Sequence, residues 1–178
     1  SNTTAGSFLQ FSAPGVANVR IGNPNADALA FYTFGSGAYP ERMRIDSAGR
    51  VTMPYQPAFF ASCWASGRSN GASGVVVYGN VVTNIGGHYN ASNGRFTAPI
   101  AGTYTFSASV LNQVAGSNQI RFYKNGSVTS AGTYMNAYDE TATALATLTL
   151  SAGDYVNAYT PGIHYESEYG DFVGHLIG

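Results

Sequence analysis

Three arrangements in the sequence have the residue types that chemistry needs. Gly67-Arg68-Ser69-Asn70-Gly71 has the G-x-S-x-G spacing of a nucleophile elbow, in which a serine on a strained strand-to-helix turn attacks an acyl carbon. No helical period follows it, so the turn that would expose the serine is missing. Glu166 and Glu168 are a carboxylate pair, but on an extended segment they project the same way, about 6–7 Å apart at Cα. Nothing separates them into an acid and a base, so a solvated pair is the simpler reading. His88, His164 and His175 lack the i, i+4 or carboxylate spacing of a zinc site. There is no glycine-rich dinucleotide fingerprint, no calcium loop, and no phosphate loop with its lysine, since the one lysine, Lys124, adjoins an Asn-Gly turn. No catalytic residue and no metal ligand is predicted, and the chain is not expected to be an enzyme.

A mixture of aromatic and acidic residues remains in the last third of the chain. Tyr134, Asn136, Tyr138, Asp139, Glu140, His164, Tyr165, Glu166, Glu168 and Tyr169 form its densest such grouping. Exposed tyrosines stack on sugar faces while neighbouring carboxylates accept hydroxyl hydrogen bonds or share a divalent cation. The plainer alternative is that they keep loop tips soluble and packed. Binding residues concentrate on loops held by rigid scaffolds, so these ten are taken as the predicted ligand-binding set. No cofactor is expected; a divalent cation at the acidic tip is compatible with the residue types but is not predicted.

Those loops need strands to hold them. The chain has 178 residues, the length of one domain or of one domain with an appendage. With 22 Gly, 13 Tyr, 10 Phe and only 10% charged residues, it has too few helix formers for a bundle and too many aromatics for disorder. From Pro57 onward a period-2 pattern is strong. Even positions of 103–110 are apolar and odd ones carry hydroxyls, while Ala142, Ala144, Ala146, Leu148 and Leu150 oppose a threonine face broken by Leu145. Asn125-Gly126 supplies the two left-handed residues of a tight hairpin, and Ser151-Ala152-Gly153-Asp154 a second turn. Strands are predicted near 57–65, 75–84, 94–99, 102–112, 119–124, 127–132, 141–150, 154–160 and 171–177, which makes a β-sandwich or jelly roll. Strand parity sends the loops 113–118, 133–140 and 161–170 to the end opposite the chain termini, a distal tip. Residues 1–56 differ: short runs such as Val19-Arg20-Ile21 and Met43-Arg44-Ile45 between Gly and Pro breaks cannot build a core alone.

Charge and cysteine usage narrow the partners. The net charge is −1, with no basic stripe to follow a phosphate backbone, so nucleic acid is not an expected partner. Residues 133–178 contain acids but no Lys or Arg. The lone Cys63 is read as a small buried hydrophobe. No run approaches the roughly 18 apolar residues of a membrane helix, so no membrane insertion is expected. The chain begins at Ser1 without a methionine, which is read as an excised fragment or a processed product, with the remainder of a fibre expected N-terminal to it.

Two stretches resemble known families. Asn84, Tyr89, Phe96, Gly102, Tyr104 and Phe106 stand at the spacing N-x4-Y-x6-F-x5-G-x-Y-x-F, which resembles the signature of the complement component 1q-like globular head, a jelly roll of the tumour-necrosis-factor class. Segments 57–61, 94–106, 124–126, 150–156 and 172–177 follow in family order, so the resemblance spans most of 57–178. Tyr78, Ala108 and His175 depart from the family's usual residues. Glu41-Arg42-Met43-Arg44-Ile45-Asp46 with Gly49 and Val51 is similar to a segment of bacteriophage tail fibres and appendages; an ordinary hairpin turning at Asp46 to Gly49 is the alternative. Together the resemblances imply an all-β, antiparallel jelly-roll head at 57–178 on a short β-structured trimeric stalk at 1–56. They imply a homotrimer that buries the nearly apolar strand 172–177, on the virion tail fibre in the extracellular medium. Its partner would be a bacterial surface glycan, lipopolysaccharide or protein receptor. The alternatives are a secreted cellular lectin or adhesin of the same fold and a polysaccharide depolymerase.

Overall fold

The structure, a computed structural model, describes residues 6–15, 18–24, 27–35, 37–63, 70–71, 73–112, 115–162, 164–165 and 169–178, with backbone alone for 70–71 and 164–165. The chain divides into two compact units, Ser1–Tyr55 and Gln56–Gly178.

The first unit is an antiparallel meander of β1 (Ser7–Phe11), β2 (Val19–Asn23), β3 (Leu29–Thr33), β4 (Glu41–Ile45) and β5 (Val51–Thr52), paired in sequence order. Ala30 is its one fully buried residue among those described, while Phe8, Leu9, Phe11, Val51 and Met53 are exposed. A single thin sheet has no second layer against which to bury either face. Arginines cover part of it, Arg20 over the Tyr39 ring at 3.5 Å and Arg42 over Tyr55 at 4.3 Å. The segment 41–52 forms the hairpin that its turn chemistry allows: Gly49 has φ 79°, and the Asp46 carboxylate accepts from the Ala48 and Arg50 amides and the Arg50 guanidinium. These bonds, the Arg50 amide foremost, hold the Asp46 carboxyl below the usual carboxylate range.

The second unit is a sandwich. One sheet has the order β10 (Tyr89–Asn90), β11 (Arg95–Thr97), β16 (Tyr155–Thr160), β13 (Asn118–Lys124), β14 (Ser127–Met135), with β8 (Gly74–Val75) also on β16. The other runs β15 (Thr141–Leu150), β12 (Gly102–Asn112), β18 (Asp171–Leu176), β6 (Ala58–Ser62), β9 (Asn80–Ile85), and β17 (His164–Tyr165) with β7 (Asn70–Gly71) continues from the far end of β12. Among the described residues every strand pair is antiparallel and there is no helix. Between the sheets lies a packed aromatic core: Phe59 stacks on Tyr89 at 4.8 Å and meets Phe172 edge-on at 4.7 Å, and Phe96, Tyr104, Phe106 and Phe122 complete it. The period-2 pattern of β15 is realised, alanines inward and threonines outward, and so is the Asn125-Gly126 turn, with φ of 50° and 80°.

Two expectations need correction here. The predicted strand 75–84 is two strands in different sheets, β8 on β16 and β9 on β6, because the chain crosses the core at Tyr78. The Tyr89 hydroxyl replaces the ladder there, accepting from the Tyr78 amide at 3.2 Å and donating to the Tyr78 carbonyl at 3.1 Å. Burial raises the Tyr89 hydroxyl pKa well above the ordinary tyrosine value. Gly102 permits close approach at the start of β12: a Cβ there would sit 2.6 Å from Leu176 Cδ1 and 3.0 Å from the Gly178 carbonyl oxygen. The last strand is not apolar on both faces, for its outer side carries Asp171, half-buried Val173 and exposed His175. The family-like Asn84 also acquires a role, since its side chain both accepts from the Tyr89 amide and donates to the Tyr89 carbonyl, closing the β9–β10 hairpin.

At the end where the chain enters and leaves the sandwich, Asp154 locks two turns together. Its carboxylate accepts from Asn125 Nδ2 at 2.7 Å, the Ser151 amide at 2.8 Å and Lys124 Nζ at 2.9 Å, which depress its pKa from 3.8 to about 2. A folded-state pKa below the unfolded one contributes stability that is present above pH 4 and disappears as the pH falls towards 2. Thermal unfolding between pH 7 and 2 should therefore show Asp154→Asn less stable than the parent at neutral pH and equal to it near pH 2. A gap that persists at pH 2 would mean the ionised carboxylate is not the source.

Candidate ligand-binding site

Two buried asparagines organise the end opposite the termini. Asn112, fully buried at the end of β12, donates its amide to the Glu140 carbonyl at 2.8 Å and Nδ2 to the Ala137 carbonyl at 2.7 Å, and accepts at its own carbonyl from the Asp139 amide at 3.0 Å. Asn118 donates Nδ2 to Asn112 Oδ1 at 3.2 Å and accepts from the Gly162 amide at 3.1 Å. Buried amides that bond several loop backbones fix those loops to the scaffold. The loops after β12, β14 and β16 are thus gathered at one end.

The predicted residues fall into distinct settings. Tyr134 belongs to β14, opposite Gln119, rather than to a loop; β14 runs on to Met135, and the Tyr134 hydroxyl accepts from Arg121 Nη2 at 3.1 Å. Glu140 closes its own loop, accepting from the Asn136 amide at 2.5 Å and the Ala137 amide at 3.0 Å. Asn136 is exposed and receives the Ser117 hydroxyl at 3.3 Å. Tyr138 and Tyr169 are each 57% exposed, and Asp139 turns the chain with φ 60°. The backbone of His164 and Tyr165 pairs with Asn112 and Leu111 of β12. Glu166 and Glu168 lie outside the described residues. Asp139 and Tyr169 come together around a cavity of about 320 Å³ that Leu111 and Thr141 also line. Among the described residues no group of three His, Cys, Asp or Glu side chains converges as a metal site would require.

Tyr169 also borders a larger cleft that sequence reasoning missed, about 530 Å³, on the outer face of the β15-β12-β18-β6-β9 sheet. Successive cross-strand rows on this face change character. The middle row is Leu145, Ser107, Val173 and Phe60, in which Leu145 is 71% exposed and Phe60 37%. One row nearer the tip, Ser62 pairs with Asp171 and with Asn80, whose Nδ2 donates to Ser62 Oγ at 3.0 Å, while the Asp171 amide donates to Ser109 Oγ at 3.1 Å. This polar row floors the cleft; Phe60, Thr141 and Tyr169 also line it. The outward hydroxyl pattern of β12 hinted at Ser109, but the row exists only through register between strands far apart in sequence.

Two antiparallel sheets closed over an aromatic core, with loops pinned at one end, define a β-sandwich of the jelly-roll class. Solved structures share it: the globular domain of zebrafish complement 1qA protein (20% identity, TM-score 0.51, 69% of this chain and 98% of that one) and murine APRIL (13%, 0.53, 68% and 99%). Eiger TNF from S. frugiperda does too (10%, 0.54, 69% and 93%). The chain belongs to the C1q domain family, whose model matches residues 58–177. It is similar to human complement C1q tumor necrosis factor-related protein 3, 33% identical over 130 residues, which are 68% of this chain; it spans about half (51%) of that relative.

Proposed function

We propose that the chain is the receptor-contacting end of a trimeric bacteriophage tail fibre, a binding protein rather than an enzyme, carried on the virion exterior and attaching to a bacterial surface glycan, lipopolysaccharide or protein. One observation carries the reading: the row of Leu145, Val173 and Phe60 leaves an apolar band on the outer face of the sheet, which two further copies of the chain cover. Ile177 is also 55% exposed just beyond β18, past the row of Thr105, His175 and Ala58. The thin sheet of residues 1–55, largely without a core, serves as the stalk and gains its packing in the same trimer; its Glu41–Asp46 segment, similar to fibre appendages, supports the phage setting. Three weak sites tied into one head raise effective affinity about a hundredfold or more. Similarity to a human C1q tumor necrosis factor-related protein favours the second reading, a secreted cellular adhesin.

Adsorption of the labelled chain to a panel of bacterial cells and an array of their surface polysaccharides tests this. Adsorption is expected to at least one, weakened at least about tenfold by Tyr138→Ala with Tyr165→Ala, at unchanged thermal stability. Binding to none, or adsorption indifferent to that pair of substitutions, would refute the tip assignment.

A further inference from the structure

We propose that Arg121, on the outer face of the β10-β11-β16-β13-β14 sheet, binds the carboxylate of an acidic pyranose, a uronic acid residue of the receptor polysaccharide, whose ring lies on Tyr134. This rests on the binding reading above and gives it a second contact surface and a ligand class. Gln119, Arg121 and Tyr123 alternate along β13 with Ile120 and Phe122, which are fully buried, so the three project outward. Pairing places Arg121 between Tyr159 of β16 and Gly132 of β14, and Gln119 opposite Tyr134 one row nearer the tip. Gly132 is what lets the arginine lie flat, because a Cβ there would stand 2.7 Å from Arg121 Cγ. With its stem over Gly132, the guanidinium is fixed along one edge: Nε donates to Gln119 Oε1 at 2.6 Å and Nη2 to the Tyr134 hydroxyl at 3.1 Å.

A guanidinium carries five N–H groups in one plane. The edge made by Nε and Nη2 is engaged, and Nη1 has no partner among the described residues, so the end formed by Nη1 and the second Nη2 hydrogen is presented already oriented. Two parallel donors match the two oxygens of a carboxylate. Fixing a long side chain before the ligand arrives also removes an ordering cost from binding. Tyr134 stands beside it, 61% exposed, with the guanidinium carbon 5.9 Å from its ring centroid, and on the other side Tyr159 stacks on Tyr123 at 4.4 Å. A uronic acid carries its carboxylate directly on a pyranose whose C–H face stacks on an aromatic ring, so the site meets both features at once. A neutral sugar offers the guanidinium only hydroxyls, and a bare anion leaves the ring uncovered. The Leu145–Phe60 band lies on the other sheet, so this face stays open when further copies cover that band.

The test is saturation-transfer NMR on the 178-residue chain with methyl β-glucuronoside and methyl α-galacturonoside, their neutral parents methyl β-glucoside and methyl α-galactoside, and acetate and inorganic phosphate as competing bare anions. At least one uronoside is expected to bind at roughly millimolar affinity, about tenfold or more tighter than its neutral parent and than either anion. Arg121→Gln and Tyr134→Ala are each expected to weaken it about tenfold, and Arg121→Lys to fall short of the parent because an ammonium lacks the planar fork. Tyr134→Ala, at an exposed position, gives an independent result should an Arg121 variant lose its fold by circular dichroism. Equal binding of acidic and neutral glycosides, tighter binding of phosphate, binding of no uronoside, or binding indifferent to Arg121 and Tyr134 overturns the proposal. Adsorption to cells that depends on Tyr138 and Tyr165 but not on Arg121 would then leave the tip assignment standing without this sugar site. Uronoside binding through Arg121 with adsorption to no cell would instead keep the site and remove the tail-fibre reading.

Discussion

Leu145→Asp is expected to turn a trimer of about 56 kDa into an 18.6 kDa monomer and to cut adsorption to cells about a hundredfold. Leu145 sits in an edge strand with 71% of its surface exposed and its neighbours inward on β15 are alanines of the core. Within one chain the substitution touches nothing buried, so folding should change by no more than about 0.5 kcal/mol. In a trimer the same position places three carboxylates in an apolar seam beside Val173 and Phe60. Removing charges from water without partners costs several kcal/mol per ion, more than such an interface can offset. The separation between the two effects makes the measurement decisive. An unchanged mass and unchanged adsorption would remove the band from the interface.

The second large effect is at Gly174. A Cβ built there lies 2.5 Å from Phe106 Cδ1 and 2.7 Å from Phe59 Cε1, both rings of the central cluster. Neither ring can retreat, because Phe59 is held between Tyr89, Phe96 and Phe172 at 4.7–5.2 Å. Gly174→Ala should cost about 3 kcal/mol or more and lower Tm by roughly 6–12 °C, and Gly174→Val should prevent folding. Adding Phe106→Leu to Gly174→Ala, which frees the space at the ring edge, should recover part of the loss and yield a coupling energy above about 0.5 kcal/mol. A Gly174→Ala protein with the parent Tm would mean that the core tolerates more than its spacing implies.

The parts of this molecule that are local in sequence could be read from it. β12 and β15 announce themselves by strict alternation because one face of each packs on the core, and Asn125-Gly126 announces its turn because two consecutive left-handed residues are needed there. The family spacing works for a related reason: Asn84 and Tyr89, five positions apart, bond across the β9–β10 hairpin, so their separation is fixed by the loop itself. What depends on distant partners could not be read. Residues 75–84 look like one strand, and only the Tyr89 hydroxyl, arriving from another segment, explains how the chain leaves one sheet for the other at Tyr78. Tyr134 has the composition of a loop residue but pairs with Gln119 because β13 continues beneath it. The gathering of the acidic loops follows from Asn112 and Asn118, polar residues whose burial no local pattern predicts. The cleft was the least legible feature, since Ser62, Asn80, Ser109 and Asp171 become neighbours through the pairing of four strands.

His175 illustrates the same limit. It breaks the apolar pattern of the last strand, and the register explains why that is tolerated: it stands between Thr105 and Ala58 on the outer face, where no core residue is displaced. Its departure from the family's usual apolar residue leaves the sandwich intact.

Multi-angle light scattering of the unmodified chain, at concentrations from micromolar to tens of micromolar, bears most directly on the proposal that copies of this chain seal one another's apolar face. A mass of about 56 kDa, three times the 18.6 kDa of the chain, is expected throughout that range. A single species of 18.6 kDa at every concentration would contradict it and would take the multivalent tip with it.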